Sequence, residues 1–474
     1  MSCRGALAGL VALLVTVLGG CATGPAVLPP GPEVRTHMTL PPAPPVEQPA
    51  ASVAVLKPLD GRLESADLLG REGFGSIPHP LVLGDPDLVH LDLWDRIRAG
   101  FAMPDLDSDR VRKWEQWYTA SAPRFEQLMG RGNRYLFHIV EEVHARGLPT
   151  ELALLPFVES AFNPQALSVA RASGLWQFMP ATGKEFALAQ NVFRDDRRDV
   201  IASTRAALDL LQTLYRTFGD WHLALSAYNW GPGNVQRALS RQSRGGVTPS
   251  YADLRMPEET RNYVPKLLAL RNLVARPAAF SVQLPRLDNH PYFLSIPIER
   301  DIDVALAARL SGLPLDDFHA LNPQFNKPVI IAAGTTRILL PYDNATLFLR
   351  QVAEHRGPWA SWTAWVAPKT LKPTEAARLV GMAEPQLRDI NRIPRGMLIR
   401  AGSTLLVTRR DGAADVAPEL AQRGLLALAP EVVPRAGKKS QPPRGKAVGK
   451  PAAKAPVRAA QAAPAASVGA RRPQ

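Results

Sequence analysis

Apolar side chains recur every three or four positions through the middle of the chain, the spacing that lines one face of a helix. DLWDRIRAGFAMP from Asp92 shows it, and so does DRVRKWEQWYTASAPRFEQLMGRGNRYLFHIVEEVHARGLP from Asp109, which closes on a Gly-Leu-Pro stop. The period continues from Pro149 to Ala275. Ile201, Leu208, Leu211, Tyr215 and Phe218 share a face, Gly219 ends that helix and Asp220 caps the next. GPGN at Gly231 to Asn234 breaks the chain again. Pro257 opens a further helix through ETRNYVPKLLALRNLVA, in which Pro265 predicts a kink. No strand is expected in this block. The pattern therefore predicts a mainly α protein, with a helical extension over 85–148 and an all-helical domain over 149–276.

Downstream the pattern changes and repeats. Ala307-Ala308-Arg309-Leu310 precedes Asn322, Gly334 and the apolar run Ile338-Leu339-Leu340; Ala376-Ala377-Arg378-Leu379 precedes Asn391, Gly402 and Leu405-Leu406-Val407. In both copies the asparagine follows the arginine by 13 positions. Each reads as a strand, two short helices and a strand, giving two small α+β modules over 292–342 and 362–408.

Composition adds the edges. The chain has 474 residues, 46% of them apolar, enough for two to four globular units. Many of its 45 prolines fall in 21–84 and in the last sixty or so residues, stretches that cannot offset chain entropy by burial. These read as a stiff tether over 21–84 and a disordered tail over 409–474. The net charge of +13 belongs mostly to that tail, where residues 431–474 carry ten Lys and Arg against Glu431 alone. A solvated Pro/Ala-rich tail explains it, and no nucleic-acid partner is expected.

At the N-terminus, Arg4 precedes an apolar run from Ala6 to Leu18 and then Leu18-Gly19-Gly20-Cys21. The run is short for a membrane span, which needs about 20 residues, and suits a cleavable export signal over 1–20. It resembles a bacterial lipoprotein signal. That resemblance implies lipidation of Cys21, and Ala22 behind it implies sorting to the outer membrane, facing the periplasm. Cys3 would leave with the signal, so the mature chain could form no disulfide within itself.

The stretch LPFVESAF places Glu159 among Leu155, Phe157, Val158, Ala161 and Phe162. Burial among apolar side chains disfavours the charged carboxylate, the condition a general acid needs near neutral pH. A glycoside hydrolase adds a second carboxylate roughly 5 to 9.5 Å away. Asp195, Asp196 and Asp199 are acids near the site in sequence, but they are flanked by Arg194, Arg197 and Arg198 and read as a solvated turn and a helix cap. His138, Glu141, Glu142 and His144 lack the spacing of a metal-binding helix and read as a charged face, and GPGN lacks the lysine of a phosphate loop. No metal and no organic cofactor is expected.

Four motifs occur in order: Glu159-Ser160; Gly174-Leu175-Trp176-Gln177; Ala227-Tyr228-Asn229-Trp230-Gly231; and Glu259-Thr260-Arg261-Asn262-Tyr263-Val264. Together they resemble the lysozyme-like soluble lytic transglycosylase domain, family 1, most of all the membrane-bound lytic murein transglycosylase D type. Trp176 stands where many relatives have methionine. The resemblance implies cleavage of peptidoglycan glycan strands between N-acetylmuramic acid and N-acetylglucosamine without water, leaving 1,6-anhydro ends. Glu159 would act as acid and then as base. Ser160, Gln177, Tyr228 and Asn229 would contact substrate or line the cleft, with Tyr263 beside Glu159, while Trp176 and Trp230 either stack on sugars or pack. A hydrolytic muramidase and a non-catalytic wall-binding lipoprotein are the alternatives. The two modules resemble LysM folds but lack the usual opening Gly-Asp-Thr-Leu, so glycan binding and a purely structural role both stay open.

Overall fold

The computed structural model describes residues 92–243, 249–335, 337–410 and 412–431. Cys21, the export signal, the tether and the basic segment after Glu431 lie outside the described residues. No helix among the described residues is long and apolar enough to cross a membrane.

Three helices, α1 (Leu93–Ala99), α2 (Asp109–Thr119) and α3 (Ala122–Gly130), lead into α4 (Leu136–Ala145) and the short α5 (Leu155–Ser160). Then come α6 (Pro180–Glu185), α7 (Val200–Phe218), α8 (Trp221–Trp230), α9 (Pro232–Gln242) and α10 (Glu258–Ala275). Sequence signals account for the boundaries. Asp199 caps α7 by accepting from the Ala202 N–H at 2.7 Å, Gly219 ends it at φ 66°, and Asp220 caps α8 through the Leu223 N–H. Gly231, at φ 92°, separates α8 from α9, and Pro232 stands in the first turn of the latter. Helix α10 runs through Pro265 as one element; Tyr263, Val264, Pro265, Leu267 and Leu268 are all buried, so packing holds the segment helical.

One apolar core joins α1 through α5 and α7 through α10, with Trp94, Ile97, Leu136, Leu152, Trp176, Leu211, Leu225 and Leu270 all inaccessible. The extension belongs to this core and is not a separate unit. Between α5 and α7 the chain is mostly irregular, crossed by isolated bridges such as Leu167 with Ser173 and Ser173 with Phe178.

The two modules share a plan. In the first, β1 (Phe293–Pro297) is followed by β2 (Ile302–Asp303), α11 (Val304–Leu310), α12 (Leu315–Leu321), β3 (Val329–Ile330) and β4 (Arg337–Pro341). β1 pairs antiparallel with β4, Ser295 opposite Leu339, and α13 (Tyr342–Glu354) adds Ala345 and Phe348 to the module core. In the second, β5 (Trp362–Val366), α14 (Pro373–Val380), α15 (Glu384–Asn391), β6 (Met397–Ile399) and β7 (Thr404–Thr408) repeat the order, with Ala364 opposite Leu406. The repeated asparagines carry the same structural duty. Asn322 accepts from the Leu339 N–H at 2.8 Å and donates to the Leu339 carbonyl at 2.9 Å, and Asn391 does the same with Leu406 at 2.7 and 2.8 Å. Each asparagine pins a helix end to the closing strand.

The tail expected from 409 onward is ordered as far as Glu431. It forms α16 (Pro418–Arg423) and β8 (Leu428–Pro430), with Leu428 opposite Ile399 on β6. Its Ala- and Pro-rich composition carries no periodic apolar signal, so tertiary pairing alone defines it.

The first module joins the core of the helical body through Leu321 and Leu339, with the Tyr135 hydroxyl donating to the Ala320 carbonyl at 2.8 Å, and both modules pack on the body through residues 191–196. Phe193 is buried with Val329, Ile331, Leu406, Val416 and Ala421, residues of both modules and of the segment behind them. Backbone bonds seal the seam: Asp195 N–H to the Gln324 carbonyl at 2.9 Å, Asn326 N–H to Phe193 at 2.8 Å, and Val192 N–H to Gly424 at 3.0 Å. Asp301 ties the first module to the segment behind the second, and Lys327 ties the first module to the second. The Asp301 carboxylate accepts from the Ala332 and Val416 N–H groups, and Lys327 Nζ donates to the Ile390 carbonyl.

Candidate active site

Helix α5 is a turn and a half long and stops abruptly. Ala161 and Phe162 both adopt left-handed backbone at φ 49° and 54°, and Phe162 turns back so that its ring lies 4.3 Å from that of Phe157. This places Glu159 at the last turn, half-buried, beside α10. The Tyr263 hydroxyl donates to Glu159 Oε1 across 104 positions of sequence. Burial pushes the Glu159 carboxyl up from 4.5 to about 7; the Glu259 charge adds to the rise, while the Tyr263 hydrogen bond and the Lys266 ammonium oppose it.

The second motif forms the floor beside α5. The Ser160 hydroxyl reaches the Leu175 carbonyl at 2.9 Å and the Pro156 carbonyl at 3.1 Å, so it ties the end of α5 to that segment. Gly174 sits at φ 87° against the Arg197 carbonyl, 1.9 Å from where a Cβ would stand, which only glycine allows. Gln177 also has left-handed backbone, and its amide nitrogen donates to the Gly174 carbonyl at 2.9 Å. Trp176 is wholly inaccessible and donates from Nε1 to Thr204 Oγ1, so it packs rather than stacks on a ligand.

The third motif comes from α8. The Tyr228 hydroxyl donates to the Trp176 carbonyl at 2.8 Å, and burial followed by the Glu159 charge raises its pKa well above the ordinary tyrosine value. The Tyr263 hydroxyl is raised in the same way by burial, then by Glu159 and Tyr228. Asn229 accepts from Thr260 Oγ1 at 2.8 Å, which links the third motif to the fourth. Glu159, Tyr228 and Tyr263 thus form one cluster; Ser160 and Gln177 line its floor, and Asn229 braces it from behind.

The other acids stand elsewhere. Asp195 and Asp196 are buried at the module seam rather than solvated: Asp195 pairs with Arg197 at 2.7 Å, and Asp196 accepts from the Ala189 N–H, with burial raising its pKa to about 6. The seam covers this turn, which local charge alone could not show. Asp199 is the cap of α7. His138 turns Nε2 inward and its ring lies 5.7 Å from Phe293, while Glu141 and Glu142 pair with Arg96 and Arg146.

Sequence reasoning gave no role to three further groups, Glu259 of the fourth motif among them. Glu259 and Lys266 on α10 both act on the Glu159 charge. Their spacing from Tyr263, four and three positions, puts them on neighbouring parts of one helix surface. Glu151 is a second buried glutamate, and it accepts backbone N–H bonds from Ala102 at 3.0 and 3.1 Å and from Met103 at 2.9 Å. It holds the extension onto the body.

Residues 139–247 match the model of the transglycosylase SLT domain, and residues 292–356 match that of the lytic transglycosylase MltD LysM-like domain. The first match opens within α4, and the second runs through α13. Membrane-bound lytic murein transglycosylase D of Escherichia coli K12 is 34% identical over 255 residues, 54% of this chain and 56% of that protein. A protein of Alteromonas sp. strain M-1 named "Putative tributyltin chloride resistance protein" is 39% identical over 171 residues, 36% of this chain and 80% of that protein. Lytic transglycosylase Slt of Pseudomonas aeruginosa is 26% identical with a TM-score of 0.25, over 32% of this chain and 25% of that one. The chain spans little more than half the length of the E. coli relative.

Proposed function

The chain belongs to the transglycosylase SLT-domain family, and from that premise we propose that it is a peptidoglycan lytic transglycosylase with Glu159 as its acid and base. One observation carries the reading: a single half-buried carboxyl, kept protonated near neutral pH by its surroundings and hydrogen-bonded by Tyr263. Protonated Glu159 delivers its proton to the oxygen leaving C1 of N-acetylmuramic acid, assisted by the sugar's own 2-acetamido group. The resulting carboxylate takes the proton of the 6-hydroxyl of the same sugar, and the C1–O6 bond closes a 1,6-anhydro ring. Water is not consumed. Burial that resists ionisation before substrate arrives makes Glu159 a better acid, and the Tyr263 hydroxyl steadies the carboxylate during the second step.

In this reading Ser160 fixes α5, Gln177 offers its amide oxygen to the acetamido group, and Tyr228 and Asn229 shape the cleft. The catalytic domain spans 149–276 with its extension over 85–148, and the modules over 292–342 and 362–408 are its companions. Lipidation at Cys21 would hold the enzyme at the outer membrane, facing the periplasm. The Leu-Gly-Gly-Cys segment supports this, as does the membrane-bound relative. Incorporation of labelled fatty acid into the wild type and not into Cys21→Ser is the expected result.

The alternative is a hydrolytic muramidase, which needs a second carboxylate roughly 5 to 9.5 Å from Glu159. Mass spectrometry of fragments released from purified peptidoglycan separates the two: ends one water lighter than reducing ends support the lyase, and reducing ends overturn it. Glu159→Gln is expected to lower fragment release by about a hundredfold or more. Full lysis by that variant would overturn the assignment.

A further inference from the structure

The loop that carries the second motif is closed at its neck by one side chain. Arg197 is buried, and its Nη1 donates to the carbonyls of Arg171 at 2.6 Å and Phe178 at 3.1 Å, on either side of Gly174-Leu175-Trp176-Gln177. Within that neck Ser173 and Phe178 exchange backbone bonds at 3.1 Å, and Arg198 Nε donates to the Ser173 hydroxyl at 3.0 Å. The enclosed residues meet the cluster directly, since the Leu175 carbonyl accepts from Ser160 and the Trp176 carbonyl from Tyr228. The rest of the guanidinium faces the other way. Its Nε and Nη2 grip the buried Asp195 carboxylate at 2.9 and 2.7 Å, and the Asp195 N–H is the group that donates to Gln324 of the first module. Arg194 forms a backbone bridge with Phe325 alongside. The reaction above does not use Arg197, yet bonds run without a gap from the module through it to the floor.

We propose that Arg197 is a positioning residue for the cleavage reaction: it fixes the floor beside Glu159 and takes its own place, through Asp195, from the docked first module. The inference rests on the reading of the previous subsection, in which Glu159 is the acid and Gln177 meets the reacting sugar. A guanidinium suits this duty, because its planar fork serves a carboxylate on one side and two carbonyls on the other. A compact ammonium could not reach all three. Loosening the floor would admit water to Glu159, whose burial is what disfavours its charge, and would let Gln177 drift from the sugar. The modules then act on the chemistry through the fold, apart from any hold on glycan.

The test uses the full chain and purified peptidoglycan, with the rate of fragment release followed against pH and the folded fraction read from circular dichroism. Asp195→Asn combined with Arg197→Gln removes both charges, so that neither is left buried alone. Per folded molecule this double variant is expected to cleave about ten- to a hundredfold more slowly, with the alkaline limb of its pH–rate profile moved to lower pH. Arg197→Lys is expected to keep part of the rate and to show a smaller shift. Phe193→Ala, which loosens the docking and leaves Arg197 intact, is expected to move the limb the same way. Tyr263, Glu259, Lys266 and Tyr228, the groups that act with the Glu159 charge, are unchanged in all of them. An unmoved limb in the double variant overturns the role of Arg197, because a residue serving stability alone would lower the folded fraction and leave the limb in place. An unmoved limb in Phe193→Ala overturns the part given to the module. If the double variant does not fold, Arg197→Lys carries the test, and a wild-type profile there overturns the proposal. Failure of the wild type to release anhydro fragments would sink the lyase reading instead, a result distinct from any difference between variant and wild type.

Discussion

Two glutamates eight positions apart show how far a local pattern reaches. Glu159 and Glu151 both stand among apolar neighbours, yet Glu151 meets backbone N–H groups and Glu159 meets a tyrosine hydroxyl. The apolar setting of Glu159 is legible in the sequence. The partner of each carboxyl is not, because both contacts cross long loops of chain. The proton balance of Glu159 makes a prediction about the proposed lytic activity: with its pKa raised to about 7, cleavage is expected to fall as pH rises above that value. Tyr263→Phe removes a hydrogen bond that lowers this pKa, so the alkaline limb of the pH–rate profile is expected to move upward while the maximum rate drops. Stability follows the same proton. The native state holds it between 4.5 and about 7 while the unfolded chain releases it, so stability declines as pH rises through that window. Glu159→Gln is therefore expected to be more stable than the wild type at pH 8, by on the order of 3 kcal/mol, with the difference vanishing below pH 4.5. Thermal denaturation at the two pH values checks it.

At the scale of elements, the helix ends were the most legible feature, since Asp199, Gly219, Asp220 and Gly231 each act through bonds within a few residues. The segment between α5 and α7 was opaque for the opposite reason. Its shape depends on Gly174 meeting the Arg197 carbonyl and on Gln177 in a left-handed conformation, neither of which has a periodic signature. Gly174→Ala is expected to displace that floor and abolish cleavage with the helical content largely kept, as circular dichroism beside an activity assay would show. The repeated asparagines were visible as a spacing without a cause. Their cause is a pair of buried bonds to the closing strand, so Asn322→Ala or Asn391→Ala is expected to cost about 2 to 4 kcal/mol of module stability. Urea denaturation followed by the fluorescence of Trp359 or Trp362 measures it.

For the molecule as a whole, the sequence indicated the order of parts but not how they meet. Nothing in the period of residues 191–198 distinguishes a solvated turn from a seam, and the structure buries Phe193, Asp195, Asp196 and Arg197 there. Phe193→Ala is expected to lose about 3 to 5 kcal/mol of coupling and to split one thermal transition into two, seen by calorimetry. A chain cut after Ala275 would meet the same seam from the other side. The backbone groups of Val192 and Asp195 would lose their partners, and the Phe193 ring would face water. Such a truncated chain would tend to clump, and in an assay of the lytic activity proposed above a lower yield would report insolubility before it reported any missing grip on glycan.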